Sequence, residues 1–390
     1  MMMDIDALKE AVTATPAFLY DKNRIEKTLN RLITLREKTG CNILYSIKAL
    51  PFSPVLRWIL PFVDGFSVSS LFEARLAHEI QHECGSSLHL TTPGLRIDEI
   101  NELARLCTHI SYNSANQFTR FTALESKYYS PGIRVNPKLS FTNDVRYDPC
   151  RPCSKLGMDI EELAHSHLFD QLEGLHFHNV FAQQDFNPLI ITLDALKKKL
   201  NHHFGQLQWL NLGGGYLFDE NVQLATLQDL LHELNQSFAG EVFMEPGNAI
   251  VGPAGQLLTT VIDLFCSDGK NIAVLDTSVN HHPEVFEYQK PPELQEADKN
   301  GRYSVLLAGS SCLAGDIFGE YRFERQLQLG DKLTFKRVGA YSLIKANRFN
   351  GYNLPSVYGF DGQEIWPLKS FDYADYRKQW ITDTESRIKL

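Results

Sequence analysis

The sequence has no apolar run long enough to cross a bilayer, no excess of positive charge, no internal repeat and no low-complexity tract. A spanning helix needs about 20 consecutive apolar residues, so a helical membrane protein is excluded. Against 38 basic residues stand 47 acidic ones, a formal charge of -9 with a pI near 5.8. Nucleic acids and anionic membrane surfaces are held by basic faces; neither is an expected partner, whereas a cationic small molecule is electrostatically welcome. Cysteine is sparse and irregular: 7 in all, an odd number that suits free thiols in a reducing compartment better than a disulfide framework. The opening residues Met1-Met2-Met3-Asp4-Ile5-Asp6 carry acids where a secretory signal carries bases. A soluble, cytoplasmic protein is expected.

With 43% hydrophobic content over 390 residues, the chain can bury a large core, enough for two domains or one barrel with an appendage. Short β-branched or apolar runs alternate with stretches of helical periodicity, the mark of βα units around a parallel sheet. There are eight such runs: 43–48, 65–68, 88–91, 109–113, 132–135, 172–178, 209–212 and 241–245. Amphipathic helices are expected over 24–38, 70–84 and 97–106. Eight units specify a closed (β/α)₈ barrel. After Gly252-Pro253-Ala254-Gly255 the texture becomes strand-like at 257–266, 272–277, 303–307 and 332–338. The chain is therefore expected to form an α/β TIM-like barrel over 24–255 and a β domain from 1–23 with 256–390. Within the latter, 17–20 is a strand available to the C-terminal sheet, and 281–301, with three prolines, is a surface loop.

Lys48, Asn113, Arg134, His178, Gly213-Gly214-Gly215 and Glu245 each end or follow an expected strand, which is where a barrel keeps its catalytic rim. A lysine closing an apolar strand is desolvated and becomes a usable amine for a Schiff base; alone, it also reads as a lysine snorkelling past a strand end. The three glycines offer backbone N–H groups to a phosphate, or simply make a tight turn. Glu245 could hold a pyridine nitrogen protonated or sit in a buried salt bridge. His176 and His178 share a face inside the barrel, suited to stacking on a flat ring or to metal, but a zinc site lacks its third and fourth ligands. Cys150 and Cys153 have no second pair and read as structural thiols. Cys312 lies in a small-residue loop, Gly309-Ser310-Ser311-Cys312-Leu313-Ala314-Gly315-Asp316, where a thiol is accessible.

Together these segments resemble the alanine-racemase-fold pyridoxal-phosphate (PLP) decarboxylases, the family of ornithine, diaminopimelate and carboxynorspermidine decarboxylases. The motifs run in family order over nearly the whole chain: Tyr45-Ser46-Ile47-Lys48-Ala49, Ser154-Lys155-Leu156-Gly157, Phe177-His178-Asn179, Leu212-Gly213-Gly214-Gly215, Glu245-Pro246-Gly247, Gly309-Ser310-Ser311-Cys312, and Gly339-Ala340-Tyr341 with Phe349-Asn350-Gly351-Tyr352. The resemblance implies that Lys48 carries PLP, His178 stacks on its ring, Glu245 pairs with the ring nitrogen, and Gly213 to Gly215, Gly247 and Tyr341 bind the phosphate, with Arg134 and Glu73 nearby. It implies a head-to-tail homodimer in which Cys312 and Asp316 serve the Lys48 of the other subunit. Two positions depart from the ornithine and diaminopimelate pattern. Asn248 stands where an arginine usually follows Glu-Pro-Gly, and Leu313 where a glutamate usually follows the cysteine. Cys312-Leu313-Ala314-Gly315-Asp316 and Asp276-Thr277-Ser278 with His282-Pro283-Glu284-Val285 instead resemble the carboxynorspermidine/carboxyspermidine decarboxylases. A cationic carboxylated triamine is then the implied substrate, with Asn248, Asp276, Asp316 and Glu284 as candidate substrate contacts and Cys312 or Lys48 as proton donor. Rival readings are the same chemistry on another basic amino acid, a racemase, and a non-catalytic relative that binds PLP or a partner protein.

Overall fold

The computed structural model describes residues 5–81, 85–125, 128–142 and 144–382. The chain divides into two units, one of Ile25–Ile250 and one made of the segments on either side of it. The first strand, β1 (Ala17–Asp21), belongs to the second unit.

The first unit is a barrel. Its strands are β2 (Asn42–Ser46), β3 (Gly65–Val68), β4 (Ser87–Thr91), β5 (His109–Tyr112), β6 (Ser130–Asn136), the two-residue β7 (Met158–Asp159), β8 (Gly174–His176), β9 (Trp209–Asn211) and β10 (Glu241–Met244). All pairings are parallel; β7 pairs only β6, and the pairings β10–β2 and β5–β6 close the other eight into a ring. Helices alternate with the strands because their apolar residues recur at three and four. In Lys22–Thr39 the buried side chains are Ile25, Thr28, Leu29, Leu32, Leu35 and Thr39, one stripe of a helix.

The second unit is a mixed sheet built from β1, β11 (Gly255–Ser267), β12 (Lys270–Leu275), β13 (Tyr303–Ala308), β14 (Ile317–Phe323), β15 (Lys332–Lys336), β16 (Ser356–Phe360) and β17 (Ile365–Lys369). Its order is β14-β13-β12-β11-β1-β16-β17, with β15 also on β11. As expected, β1 joins this sheet, antiparallel to β11 and parallel to β16.

Several boundaries differ from expectation. β2 ends at Ser46, and Ile47–Ala49 is a single helical turn closed by Leu50 N–H on the Ile47 carbonyl. The expected strand 172–178 contracts to β8. The helix expected from 97 starts at Ile100, and the one over 70–84 runs Leu71–Gln81, with Cys84 outside the described residues. The segment 281–301 is not wholly a surface loop: it contains the helix Glu284–Tyr288, and His281, His282, Val285 and Leu294 are buried. β14 escapes sequence reading because Gly319, at φ +140, breaks the alternation between Phe318 and Tyr321.

Candidate active site

Parallel register stacks the barrel interior in rows. Gly132, Gly174 and Trp209 are neighbours across β6, β8 and β9, and two residues further along Arg134, His176 and Asn211 are neighbours in the same order. Since side chains on one face recur every second residue, the first row fills the barrel floor and the second forms its working layer. Trp209 occupies the space the glycines leave: a Cβ on Gly174 would lie 2.0 Å from the indole, and one on Gly132 2.4 Å. Above the indole edge His89 stacks on His109 at 3.9 Å. His89 is buried with neither ring nitrogen hydrogen-bonded. Burial holds it neutral, well below the usual histidine range, and pushes His109 down to about 4. This layer is a plug with no group suited to chemistry on a ligand.

The working layer is charged. Glu245, the residue after β10, is buried; its Oε1 accepts from Asn211 Nδ2 at 2.6 Å, and Oε2 lies 3.9 Å from His176 Nε2. Burial raises its pKa against the opposing pull of Lys48, of hydrogen bonds from Asn211 and Ser67, and of Arg134. His176 Nδ1 pairs with Thr91 Oγ1 at 3.2 Å, leaving a buried Nε2 without a hydrogen bond. Lys48, in the turn after β2, is open to solvent at its surface, yet enough of the barrel surrounds its amine for desolvation to lower its pKa, with Glu245 and Glu73 opposing. Glu73 accepts from the Ser69 N–H at 2.7 Å. Arg134 lies within β6 and not at its end, as the sequence suggested; it is buried and pushed down to about 10, which leaves it a cation at neutral pH.

The glycine loop is more committed than its sequence implies. Gly213 N–H donates to Asn211 Oδ1 at 2.9 Å and Gly214 N–H to His178 Nδ1 at 3.0 Å. Two of the three amides expected to meet a phosphate thus already have partners. The bond to Nδ1 fixes the proton of neutral His178 on Nε2, in line with the burial that keeps its pKa well below the ordinary value. A Cβ on Gly213, Gly214 or Gly215 would lie 2.3–2.4 Å from the carbonyl of Phe177, Glu245 or Val180 respectively, so only glycine lets this loop pass between two strand ends. Gly247 is less tightly enclosed, a Cβ there lying 3.1 Å from Ser46 and Ala49 beside Lys48, and Asn248 opens the short helix Asn248–Val251.

In the sheet unit, Cys312 is exposed on the loop after β13. Asp316 corrects an expectation. It is 2% exposed, its Oδ1 accepts from Val279 N–H at 2.8 Å and its Oδ2 from Ser311 N–H at 3.0 Å, leaving no carboxylate face for a substrate cation. Asp276 is only half-buried and partly committed: Thr259 Oγ1 and Thr260 N–H engage one oxygen, Thr15 Oγ1 the other. It ties β11 to the segment before β1. Glu284 is half-buried, accepts from Tyr288 OH at 3.2 Å and is raised by burial, with Lys345 opposing. Tyr341 has φ +58, a conformation that a bulky residue holds only when its surroundings impose it.

The barrel residues fit PLP. A buried carboxylate with one oxygen not committed to Asn211, an amine of lowered pKa and a glycine cradle with no room for side chains are what its ring nitrogen, aldehyde and phosphate require. Among the described residues no group of three or more His, Cys, Asp or Glu is arranged to hold a metal ion, and no helix is long and apolar enough to cross a membrane. Asn211, Ser67 and Thr91 were not singled out from sequence. The signal for Asn211 was a polar residue two after Trp209 on an otherwise apolar strand.

The model of the family described as pyridoxal-dependent decarboxylase, C-terminal sheet domain, matches residues 17–339. The chain is 31% identical to the carboxynorspermidine/carboxyspermidine decarboxylase of Campylobacter jejuni, over 93% of this chain and 97% of the relative. It is 32% identical to the carboxyaminopropylagmatine decarboxylase of Synechocystis, over 94% and 95%. The crystal structure of the Campylobacter jejuni carboxynorspermidine decarboxylase complexed with norspermidine overlays with a TM-score of 0.85 at 30% identity, covering 94% of this chain and 99% of that one. The chain therefore belongs to the pyridoxal-dependent decarboxylase family of the ornithine, diaminopimelate and arginine decarboxylases.

Proposed function

We propose that this enzyme decarboxylates carboxynorspermidine or carboxyspermidine, releasing carbon dioxide and norspermidine or spermidine, and that it does so in the cytoplasm as a homodimer. The observation that carries the substrate is the overlay, over nearly the full length of both chains, with a carboxynorspermidine decarboxylase that holds norspermidine. Bound PLP supplies a ring that withdraws the electron pair left on the α-carbon as carbon dioxide departs. Lys48, whose pKa desolvation lowers, would supply the amine for the covalent link to the cofactor. Glu245 Oε2, the oxygen Asn211 leaves free, holds a proton on the ring nitrogen. Neutral His178 would offer a flat face to the ring, its orientation held by the bond from Gly214 N–H. Gly215 and Gly247 would hold the phosphate, and Tyr341 is the candidate contact from the sheet unit; Arg134 is a buried cation of the barrel. Cys312 Sγ or Lys48 Nζ returns one proton to the α-carbon.

The loop of Cys312 and the segment bonded to it carry exposed Leu313, Phe349 and Tyr352, an apolar surface that a second copy would cover. Glu284, raised by burial, remains a candidate for one ammonium of the substrate. A second reading, decarboxylation of carboxyaminopropylagmatine, is favoured by the 32% identity to the Synechocystis enzyme; there a guanidinium replaces a terminal ammonium. A competition assay with both carboxylated triamines, carboxyaminopropylagmatine, diaminopimelate and ornithine, read by chromatography of the amine products, tests both. The first reading expects the carboxylated triamines to lead in kcat/KM. Turnover led by the guanidino compound would establish the second, and turnover led by diaminopimelate or ornithine would overturn both.

A further inference from the structure

Two loops of the sheet unit bear residues that the proposed function uses: 309–316 bears Cys312 and 339–352 bears Tyr341. Both are bonded to one buried turn, 277–282. On the first side Ser310 N–H donates to the Thr277 carbonyl at 2.9 Å and Val279 N–H to Asp316 Oδ1 at 2.8 Å. Asp316 then gathers its own loop: Oδ2 accepts from both the N–H and the hydroxyl of Ser311, and a Cβ on Gly309 would stand 2.1 Å from Oδ1. On the second side Asn347 N–H donates to the Asn280 carbonyl at 3.1 Å. His282 Nδ1 meets Ser342 Oγ at 2.8 Å, and since the Ser342 hydroxyl donates to the Ala340 carbonyl, the imidazole is the donor. The loops also meet directly, through Cys312 N–H on Asn350 Oδ1 at 2.8 Å. Thr277, Ser278, His281, His282, Asp316 and Ser342 are all buried, so the bonds from Val279 to Asp316 and from His282 to Ser342 form away from competing water, whereas the Asn347 and Asn350 bonds lie at the surface.

Tyr341, a bulky residue, is held in the left-handed region at φ +58, and Asn350, a residue that tolerates that region, lies there at φ +56. For a bulky residue such a conformation persists only where the surroundings over-determine it, and the bonds from His282 to Ser342 and from Asn280 to Asn347 lie between those two positions or next to them. We infer that the turn 277–282 is a positioning device that fixes the Cys312 loop and the Tyr341 loop in register, with Asp316 and His282 as its positioning residues. Each acts through the loop it holds. The inference deepens the proposed function, on which it rests only for the roles of Cys312 and Tyr341.

The test measures loop order directly. The holoenzyme is treated with limiting iodoacetamide and alkylation at Cys312 is quantified by peptide mass spectrometry against Cys266, an exposed thiol of the same sheet unit. Asp316→Asn sets an amide where Ser311 N–H needs an acceptor, and the Cys312-to-Cys266 ratio should change about tenfold, the effect of losing a buried charge-assisted bond. Ser342→Ala cuts only the His282 side and makes no hydrogen bond within 309–316, yet the ratio should still change about fivefold, the effect of one neutral buried hydrogen bond. Both variants should lower kcat with KM nearly constant. An unchanged ratio in Asp316→Asn overturns the bracing of the Cys312 loop; a change there with none in Ser342→Ala overturns the coupling of the two loops. If Asp316→Asn fails to fold, Ser311→Ala removes one of the same bonds and serves in its place. Because alkylation needs no substrate, a wrong substrate assignment leaves this result interpretable.

Discussion

Asn211→Ala is the most informative single change in the barrel. The side chain is fully buried and serves two partners, Glu245 Oε1 at 2.6 Å through Nδ2 and Gly213 N–H at 2.9 Å through Oδ1. Losing a buried hydrogen bond to a charged acceptor costs about 1.5–3 kcal/mol, and stranding the Gly213 amide about 1–3 kcal/mol more. A water entering the vacated polar space recovers part of this, so a net loss of about 3 kcal/mol is expected. For a barrel of this size that is a fall in Tm of roughly 6–12 °C by calorimetry. Glu245 also loses the donor that orients it, so PLP affinity, followed by fluorescence titration, should weaken as well. Asn211→Asp separates the two effects: an acceptor for Gly213 remains, but a second carboxylate now faces Glu245. One carboxyl pKa of that pair is raised in the folded state, so its stabilising effect is full at acid pH and fades as pH rises through the raised value. If Asn211→Ala melts within about a degree of the wild type and binds PLP equally well, the brace on Glu245 is an incidental contact and the reasoning fails.

Borohydride reduction followed by peptide mapping should find the pyridoxyl group on Lys48 and nowhere else; a label on another lysine would overturn the site. With Cys312 as the proton donor, Lys48→Ala and Cys312→Ala are each inactive and mixing them should restore about a quarter of wild-type activity, since half of randomly paired dimers carry one intact site of two; no recovery after confirmed subunit exchange refutes the shared site, and an active Cys312→Ala assigns the proton to Lys48. His89 and His109 are neutral in the fold, with pKa values held below those of the unfolded chain. Stability is therefore full above pH of about 6.5 and falls as pH drops toward about 4; His109→Gln should flatten that loss in urea titrations, and an unaltered acid limb would count against it. Gly174→Ala drives a methyl into the Trp209 indole and should cost about 3 kcal/mol or more, with partial rescue by Trp209→Leu; a fully stable single variant would contradict the described packing. Asp276→Asn should lower Tm with little effect on KM, and a KM rise of about tenfold or more would return Asp276 to the substrate site.

Much of this enzyme was set by local pattern. Eight apolar runs separated by helical periodicity point to a parallel sheet covered by helices, because a strand buried on both faces needs helices with one apolar stripe to cover it, and eight such units are the number that closes a barrel. Lys48, Glu245 and the glycine loop could be located because a barrel exposes residues at its strand ends. What a side chain does there depends on partners distant in sequence, and these only the tertiary structure supplied. Asp316 and Asp276 carry charges that read as free acceptors until the folded chain brings Val279, Ser311, Thr15 and Thr259 to them. Asn211 looked like one polar residue on an apolar strand until register set it between Glu245 and Gly213. Sequence fixes which groups can donate and accept, whereas burial and register decide which of those capacities are already spent.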